Sequence, residues 1–513
     1  MNDNLAELFA QLPNLLGGHM VLSMSALSSG ILLSVPLGIV ASRSQKLGGV
    51  VLGTAGIIQT IPGLALLALM VAALGGTIGF LPAYLALAMY SVLPVLRNTV
   101  TGIAGVDPAV IEAANGVGMT DRQRLLRVEL PLAAPTIIAG IRTSTVWVVG
   151  TATLSTPVGA PSLGNYIFAG LQTRNPLSVV FGCVFAALLA IALDQLVRAA
   201  ESAVRQRSKA KGVAAVMGLV LLVGGGLIPL VLEQRITLHR PGGPLAGTNI
   251  MVGAKTFTEQ YILARALSGH LEDKGARVER LENLGSTVLF DALATGKVDL
   301  YVDYVGTLWT TILKRTEPTD RAQMLDEVSR HLRNTYGIGV VGRLGFENAY
   351  AFAMRRDRAA ELAATAIGDL ANRSSQLTIG GDPEFFARPE WARVRDAYGL
   401  DQLGTRGMDS TFMYGAVRDG AVDVITAYTT DGRIDAFDLQ LLDDPKQAFP
   451  SYDAVLLISP QAAKSEALTA ELRKWIDAVN TALMRDANGQ VDLKGATPKQ
   501  AATFLRITVG LTR

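Results

Sequence analysis

Six apolar stretches, each long enough to cross a bilayer as a helix, lie within the first 232 residues of the sequence. Crossing the roughly 30 Å hydrocarbon core takes about 20 apolar residues. The candidate spans lie near residues 20–41, 50–74, 78–100, 133–155, 176–197 and 213–232. Gln59-Thr60-Ile61-Pro62 interrupts the second stretch and predicts a kink there. Asp3 and Glu7 precede the first stretch, where a secretory signal carries basic residues, so we expect this span to stay in the membrane.

Basic residues predict the orientation of these spans, because Lys and Arg mark cytoplasmic loops. They follow the first, third and fifth spans, whereas the turn at 75–77 is uncharged and the 156–175 loop carries only Arg174. The basic residues are Arg43 and Lys46, then Arg97, Arg122, Arg124 and Arg127, then Arg198, Arg205, Arg207, Lys209 and Lys211. The N-terminus and everything after about residue 240 should therefore face the extracytoplasmic side of an inner membrane.

The charges divide the chain into two parts. Residues 1–245 hold 15 Lys/Arg and 9 Asp/Glu, a net charge of +6, whereas the remainder holds 31 and 35, a net charge of −4. The apolar content of 50% excludes a disordered chain. Cys183 is the only cysteine, so no intrachain disulfide and no cysteine-based zinc site is expected, and its apolar surroundings predict a small buried side chain. The four histidines are scattered, and we expect no metal site.

The loop between the third and fourth spans carries the most specific motif of the first part. Glu112-Ala113-Ala114, Gly118 and Val128-Glu129-Leu130-Pro131 have the spacing of the EAA loop found in permease subunits of ABC importers. Glu-Ala-Ala favours a helix, Gly118 permits a tight turn, and Pro131 suits the start of the next span. We expect a short helix that docks into an ATPase groove. The alternative is an ordinary amphipathic loop helix.

Two ionisable residues fall inside predicted spans. Arg142 lies within the fourth span, where a charged side chain is by default a functional hypothesis, although it can equally snorkel to the cytoplasmic end. Asp194, near the end of the fifth span, is interpreted as interfacial.

A polar linker rich in Pro and Gly at 234–248 precedes a region of about 265 residues, large enough for two lobes. That region opens with a strand at 250–253, followed by Thr256-x-x-Glu259, which predicts a capping box. Apolar residues recurring from Phe257 to Leu271 predict an amphipathic helix. The side chain of Gln260, in the first turn of that helix, would reach a ligand at its N-terminus.

An internal repeat then appears at a constant offset of 124 residues. Ser286-Thr287, Ala292, Gly296, Val298-Asp299 and Tyr304 recur as Ser410-Thr411, Ala416, Gly420, Val422-Asp423 and Tyr428. Each copy predicts a helix with Ser at its N-cap, a Gly turn, and a strand that ends at a tyrosine. Two related α/β lobes would bring both rings to the crevice between them. Two unrelated α/β units remain the alternative.

Tyrosines at such a crevice suit a poorly hydrated cation, such as a quaternary ammonium group, because the faces of aromatic rings are negative. Buried tyrosines that only pack and form hydrogen bonds are the alternative. The duplicated placement favours contact with a ligand.

Five segments resemble the substrate-binding proteins of glycine betaine, carnitine and choline importers, the osmoprotectant type. They are GAKTFTEQ at 253–260, DLYVDYVGT at 299–307, GDPEFFARP at 381–389, AYTTDGRI at 427–434 and FPSY at 449–452. Residues 20–200 resemble the permease of the same importers, including QTIP at 59–62 and GIRT at 140–143. The resemblance covers nearly the whole chain, in an arrangement that fuses permease and binding protein.

The resemblance implies a helical MetI-like transmembrane domain followed by an α/β type II periplasmic-binding-protein fold. It implies an aromatic box around a trimethylammonium group, formed by Tyr304, Tyr428 and Tyr452, with Tyr350 as a further member. It also implies that Gln260 and Thr307 contact the ligand's carboxylate; an Asp at position 307 would suit choline instead. Glu384 and Arg388 would line or latch the cleft, or form a structural ion pair.

Departures from the family pattern bear on the ligand. Val305 replaces a common Thr, Ser451 replaces a Pro before the last tyrosine, and the segments at 410–413 and 158–164 also differ. Fused members that resemble ergothioneine importers share most of these motifs and bind another betaine. Ergothioneine or choline import by the same architecture is therefore the alternative to glycine betaine or carnitine.

The expected architecture is a permease domain at 1–211, a sixth span at 212–233, a linker at 234–248 and a binding domain at 249–513. Within the binding domain, lobe 1 would comprise 249–347 and 451–513, and lobe 2 would comprise 348–450.

The expected partners follow from this architecture. No Gly-x4-Gly-Lys-Ser/Thr loop occurs, so ATP hydrolysis is assigned to a separate ATPase chain and no cofactor to this one. A pore needs two permeases, which predicts a homodimer in the membrane lipid; no nucleic-acid partner is expected. A membrane-anchored sensor and a membrane enzyme are the rival classes, but the EAA spacing argues against the sensor. No Ser/His/Asp set or supported acid–base carboxylate pair favours the enzyme.

Overall fold

The computed structural model describes residues 2–173, 175–206, 208, 210–214, 216–218, 220, 224, 242–315, 317 and 319–512. The chain divides into two compact units, Met1–Phe168 with Pro176–His239, and Ala169–Asn175 with Arg240–Arg513. Most of the predicted sixth span and the first part of the predicted linker lie outside the described residues.

The described part of the N-terminal unit is helical. Its helices are α1 Asn2–Ala41, α2 Gln45–Thr60, α3 Gly63–Ala73, α4 Phe80–Ala104, α5 Pro108–Gly116, α6 Asp121–Arg124, α7 Leu130–Ala152, α8 Gly164–Gln172 and α9 Pro176–Arg205, although residues 169–172 of α8 are assigned to the C-terminal unit. Four described segments are long and apolar enough to span a membrane, namely Leu5–Ala41, Phe80–Ala104, Asp121–Val158 and Pro176–Arg205. α2 and α3 form a further, broken candidate with a bend of 100°. This break lies at the predicted Gln59–Pro62 kink, so that prediction is confirmed.

Several details of the spans differ from the sequence prediction. The first helix begins at Asn2, well before the predicted residue 20. The residues before the apolar stretch belong to the same helix. Arg97, expected in the loop after the third span, lies inside α4, which continues to Ala104. Cys183, expected to be buried, is exposed on α9. An outward-facing small apolar side chain is favourable on a membrane-spanning helix, because lipid tails cover that surface.

The C-terminal unit contains two five-stranded mixed sheets. Its strands are β1 Asn249–Lys255, β2 Arg277–Leu284, β3 Leu300–Tyr304, β4 Gly339–Glu347, β5 Tyr350–Arg355, β6 Thr378–Gly381, β7 Gly404–Gly407, β8 Val424–Tyr428, β9 Leu439–Leu442 and β10 Asp453–Ile458. The first sheet has the order β2-β1-β3-β10-β4 and the second β7-β6-β8-β5-β9. In each sheet three parallel strands are followed by one antiparallel strand, β10 or β5, which pairs with the last strand.

Helices pack around these sheets. They are α10 Thr258–Asp273, α11 Ser286–Ala294, α12 Val305–Thr307, α13 Arg321–Tyr336, α14 Arg356–Leu362, α15 Pro383–Ala387, α16 Pro389–Tyr398, α17 Ser410–Arg418, α18 Arg433–Ala436, α19 Glu466–Arg473, α20 Thr481–Asp492 and α21 Pro498–Thr508. The chain crosses from the first sheet to the second between β4 and β5, and returns between β9 and β10. The backbone N–H of Asn348 donates a hydrogen bond of 3.1 Å to the backbone carbonyl of Tyr452. This bond joins the two crossing segments.

The predicted repeat is confirmed as two equivalent structural units. Helix α11 and strand β3 recur 124 residues later as helix α17 and strand β8. Strands β3 and β8 each occupy the third position in their sheet. Asp299 accepts a hydrogen bond from the amide of Met251 at 2.7 Å, and Asp423 accepts one from the amide of Thr378 at 3.0 Å. Each aspartate therefore holds the start of the neighbouring parallel strand, β1 or β6.

Two predicted caps are wrong. The N-cap of α10 is Phe257, without a side-chain hydrogen bond, and Glu259 is turned into the interior instead of closing a capping box with Thr256. The N-cap of α11 is Gly285, so Ser286 is the first helical residue.

Candidate functional site

A cavity of about 290 Å³ lies in the C-terminal unit, beside the strand ends and the two crossings. Tyr304 and Tyr428, the two tyrosines of the repeat, end β3 and β8 and both line it. Tyr350 begins β5 and Tyr452 precedes β10, and these also line the cavity. The structure thus brings together all four tyrosines that the sequence singled out.

Three of these rings form one aromatic cluster centred on Tyr350. Its centroid lies 5.1 Å from that of Tyr428 and 5.5 Å from that of Tyr452, and the Phe385 ring packs 4.9 Å from it. Tyr350 and Tyr428 are direct partners in the antiparallel β5–β8 pair, so the sheet register sets their spacing. Tyr304 packs against Phe257 at 6.1 Å.

Carboxylates orient three of the phenols. The hydroxyls of Tyr304, Tyr428 and Tyr452 donate to Glu259, Asp382 and Glu390 at 2.5, 3.2 and 2.6 Å. Burial raises the pKa of each of these tyrosines, so the phenols stay neutral donors. A phenol held by an anionic acceptor keeps its ring in one orientation, which preorganises the faces that a cation would meet.

Glu259 is the main site residue that the sequence reasoning missed. Its carboxylate is 2% exposed and accepts hydrogen bonds from Tyr304, from Asn348 at 3.1 Å and from Asn488 at 3.0 Å. Burial raises the pKa of Glu259, and hydrogen bonds, including one from Thr430, oppose that rise. Its place beside Gln260 in the Thr-Glu-Gln motif is the only local signal, since the two asparagines come from distant parts of the chain.

The other predicted residues have different places. Gln260 is 1% exposed, donates to the Val302 carbonyl at 3.0 Å and the Tyr304 hydroxyl at 3.1 Å, and lies behind that ring, outside the cavity lining. Thr307 and Arg388 line the cavity. The Arg388 guanidinium lies 5.8 Å from the Tyr350 ring centroid and 3.8 Å from Glu390. The side chain of Glu384, on α15, lies outside the described part of the structure.

The charges around the cavity favour a cation. Its lining includes five carboxylates and three basic side chains: Glu259, Asp382, Asp409, Asp431 and Asp492, and Lys255, Arg388 and Arg433. Lys255 is paired with Asp303 at 2.5 Å, and Arg433 is paired with Asp431. An excess of negative charge next to aromatic faces attracts a positively charged ligand. Among the described residues no group of three or more His, Cys, Asp or Glu side chains forms a potential metal site.

The EAA segment forms the predicted helix and turn. Glu112 and Ala113 are exposed on α5, Ala114 is buried, Gly118 takes a φ of +80°, and Pro131 lies in the first turn of α7. The side chains of Val117 and Leu126 are exposed and give this loop an apolar surface of the kind that binds another protein.

Ion pairs that the sequence did not reveal hold this part of the chain. The buried carboxylate of Glu129 pairs with Arg43 at 2.5 Å and with Arg124 at 2.8 Å. Arg142 donates to Asp194 at 2.5 and 3.1 Å, so these two residues of α7 and α9 are partners.

Comparison with known proteins identifies both parts. Residues 248–505 match the family described as the substrate binding domain of ABC-type glycine betaine transport systems. Residues 30–206 match the inner membrane component of binding-protein-dependent transport systems.

Individual relatives cover the whole chain or one part of it. The chain is 29% identical over 487 residues to the ergothioneine transport permease/ergothioneine binding protein EgtU of Helicobacter pylori strain G27, covering 94% of this chain and 87% of that protein. It is 47% identical over 183 residues to the choline transport system permease protein OpuBB of Bacillus subtilis strain 168, covering 36% of this chain and 83% of that protein. A crystal structure of a glycine betaine/carnitine/choline ABC transporter aligns with 27% identity and a TM-score of 0.46, covering 51% of this chain and 99% of that one. The chain belongs to the family of ABC-type glycine betaine substrate-binding domains, and it is an inner-membrane ABC importer subunit that fuses a permease to an extracytoplasmic binding domain.

Proposed function

We propose that this subunit imports a quaternary-ammonium zwitterion such as glycine betaine, carnitine or a related betaine. The observation that carries the proposal is the cluster of Tyr350, Tyr428 and Tyr452 on one cavity, with Tyr304 beside it. Each ring face in contact with the cation contributes about 0.5–2 kcal/mol. The volume of about 290 Å³ lies at the lower end of the roughly 300–1,000 Å³ typical of ligand sites, which suits a molecule of amino-acid size.

The carboxylate end of the ligand is assigned to Arg388 and Thr307. Both line the cavity, and the Arg388 guanidinium already lies near the Tyr350 ring. A guanidinium and a hydroxyl are donors that a carboxylate accepts. Gln260 is proposed to act through Tyr304, which it holds by a hydrogen bond, and Glu384 is proposed to flank Arg388.

Ergothioneine and choline are the second candidates. The relative that aligns along nearly the whole chain is named for ergothioneine, and a relative of the permease part is named for choline. Asn348, Asn488 and Ser286 supply polar groups beyond the aromatic cluster, which favours a betaine with further donors and acceptors.

Binding measurements on the purified full chain test this function. Titration calorimetry with glycine betaine, carnitine, choline, proline betaine and ergothioneine should show saturable binding of at least one of them. Glycine, which lacks the methyl groups, is the matched control and should bind much more weakly. If none of the five binds, the assignment of the tyrosines to a trimethylammonium group is wrong.

The assembly is also proposed. A separate ATPase chain binds the EAA loop through Glu112, Ala113, Ala114, Gly118 and Pro131 and hydrolyses ATP. Since the chain carries one permease, two copies form the pore within the lipid, and each copy brings its own binding domain. Residues 1–211, 212–233, 234–248 and 249–513 are the proposed permease, sixth span, linker and binding domain. Tethering raises the effective concentration of the binding domain at the pore.

A further inference from the structure

A second cavity, of about 550 Å³, lies in the N-terminal unit among the candidate membrane spans. Three helices, α2, α4 and α7, contribute its polar and aromatic lining. These side chains are Gln59, Thr60, Arg97, Asn98, Thr143 and Trp147. Polar side chains on membrane helices are costly when they face lipid and mark substrate paths when they face a cavity.

The helix break supports a role in binding. α2 ends at Thr60 and α3 starts at Gly63 after a bend of 100°, so the cavity lies directly before the break. The hydroxyl of Tyr90 donates to the carbonyl of Ile61, which the break leaves without a helical partner. At membrane depth, non-helical backbone is tolerated where it lines a cavity, and discontinuous helices form substrate sites in transporters.

Arg97 provides a cation for this cavity. It lies roughly two turns before the end of α4, and its side chain is exposed. In the part of the chain that the structure describes, Glu129 pairs with Arg43 and Arg124, Asp194 pairs with Arg142, and no carboxylate lies within ion-pair distance of Arg97. Its guanidinium is therefore available for an anionic group.

Trp147 provides the complementary aromatic surface. Its side chain is 56% exposed, although it lies within a segment that is apolar enough to span the membrane. Thr143 lies one turn before it on the same face of α7. Indole is the best of the aromatic faces for an ammonium group.

We propose that this cavity is a second binding site for the transported zwitterion, in which Trp147 receives the quaternary ammonium group and Arg97 the carboxylate. Gln59, Asn98 and Thr143 provide hydrogen bonds between these two ends. The inference rests on the proposed function, because it takes the same chemical class of ligand from the binding domain to the permease. A more open site of this kind should bind the ligand more weakly than the cavity of the binding domain does, which allows the ligand to move on.

Equilibrium dialysis with labelled glycine betaine and, in a second arm, carnitine tests the proposal on the full chain. The chain carries Tyr350→Ala, Tyr428→Ala and Tyr452→Ala, which together remove the aromatic cluster of the first site, and is held in lipid nanodiscs without choline headgroups. We expect residual saturable binding that Trp147→Ala weakens about two- to thirtyfold and Arg97→Gln weakens similarly. Val146→Ala and Arg122→Gln, which change an apolar and a basic residue that are exposed but outside the cavity lining, are the matched controls and should leave the residual binding unchanged.

The outcomes separate this inference from the proposed function. If the unaltered chain binds neither ligand, the proposed function fails for these two ligands and the inference fails with it. If the unaltered chain binds but the chain without the aromatic cluster shows no binding up to about 10 mM ligand, only the second site is overturned. Residual binding that is unchanged by both Trp147→Ala and Arg97→Gln also overturns the second site. Binding of glycerophosphocholine but of neither zwitterion would assign the cavity to a lipid headgroup and overturn the proposal.

Discussion

The hydroxyl of Tyr304 donates a hydrogen bond of 2.5 Å to the carboxylate of Glu259, and both groups line the cavity of the binding domain. In the proposed function Tyr304 is an aromatic surface for a cation, and Glu259 is the buried carboxylate beside it. Their contact links the electrostatics of the cavity to its geometry, because the carboxylate holds the orientation of the ring.

Glu259 should make ligand binding depend on pH. Burial raises the pKa of Glu259, and a bound quaternary ammonium group would lower it again, so binding of the cation should release a proton. Affinity should therefore fall as the pH is lowered towards the raised pKa of Glu259. Titration calorimetry in buffers of different ionisation enthalpy measures both the affinity and the released proton.

The same shift has the opposite sign for stability of the empty chain. A carboxyl whose folded pKa is raised favours folding at low pH, and this contribution is lost as the pH rises through the raised value.

Glu259→Gln should abolish the pH dependence of binding, whereas Glu279→Gln, at an exposed carboxylate on β2, should keep it. An identical pH profile for Glu259→Gln and the unaltered chain would contradict the role given to this residue.

Tyr428 should contribute through its ring more than through its hydroxyl. Tyr428→Ala removes one face of the cluster and should weaken ligand binding about two- to thirtyfold, the equivalent of roughly 0.5–2 kcal/mol. Tyr428→Phe keeps the ring and loses only the hydrogen bonds of the hydroxyl, to Asp382 and Tyr350, so its effect should be smaller. Dissociation constants from calorimetry give the comparison.

Tyr336→Ala is the control for Tyr428, since this tyrosine packs on Phe290, outside the cavity lining. Equal losses for Tyr428→Phe and Tyr428→Ala would show that the phenol, and not the ring face, makes the contact.

The EAA loop should couple transport to ATP hydrolysis without touching the ligand site. Glu112→Ala combined with Gly118→Leu should leave ligand binding unchanged and abolish uptake. Gly118 has a φ of +80°, which costs an L-residue about 1–2 kcal/mol, although a Cβ there would meet no atom within 4 Å. A Cβ at position 118 therefore strains the backbone turn without a steric clash.

Uptake of labelled ligand into cells, next to calorimetry on the purified chain, checks this prediction. Gly116→Ala is the matched control, because a Cβ at that glycine also meets nothing within 4 Å and its φ is not positive. Normal uptake by the double variant would remove the loop from the coupling path.

Glu129 should position the EAA loop. Its buried carboxylate holds Arg43 and Arg124, so Glu129→Gln leaves both guanidinium groups without their anionic partner. Breaking a buried pair of this kind typically costs about 3–5 kcal/mol, and the 43% exposure of the Arg43 side chain lowers that expectation to about 2 kcal/mol. The melting temperature of the purified chain and its uptake should both fall.

A double-mutant cycle tests whether the contact itself is responsible. Arg43→Gln with Glu129→Gln should cost less than the sum of the two single changes, because the second change removes a group that is already unpaired. Strictly additive losses would show that the two residues act independently.

Periodic and repeated features were predictable from the sequence, because they depend on neighbouring residues. Among the described residues, the apolar stretches predicted the candidate spans, and QTIP predicted the break between α2 and α3. The constant offset of 124 residues predicted two equivalent units ending at Tyr304 and Tyr428, and the structure contains both. Tyr452, Thr307 and Arg388, named through the resemblance, also line the cavity.

Only the tertiary structure decided which distant side chains meet. Tyr350 became the centre of the aromatic cluster through its antiparallel register with Tyr428, which no local pattern encodes. Glu259 does not form the expected capping box, because its carboxylate accepts hydrogen bonds in the interior from Asn348 and Asn488, which are distant in the sequence. The pairing of Arg142 with Asp194 has the same origin. A sequence pattern reports periodicity and local hydrogen bonding, whereas the partner of a buried charge is selected by desolvation, which acts only once the chain has folded.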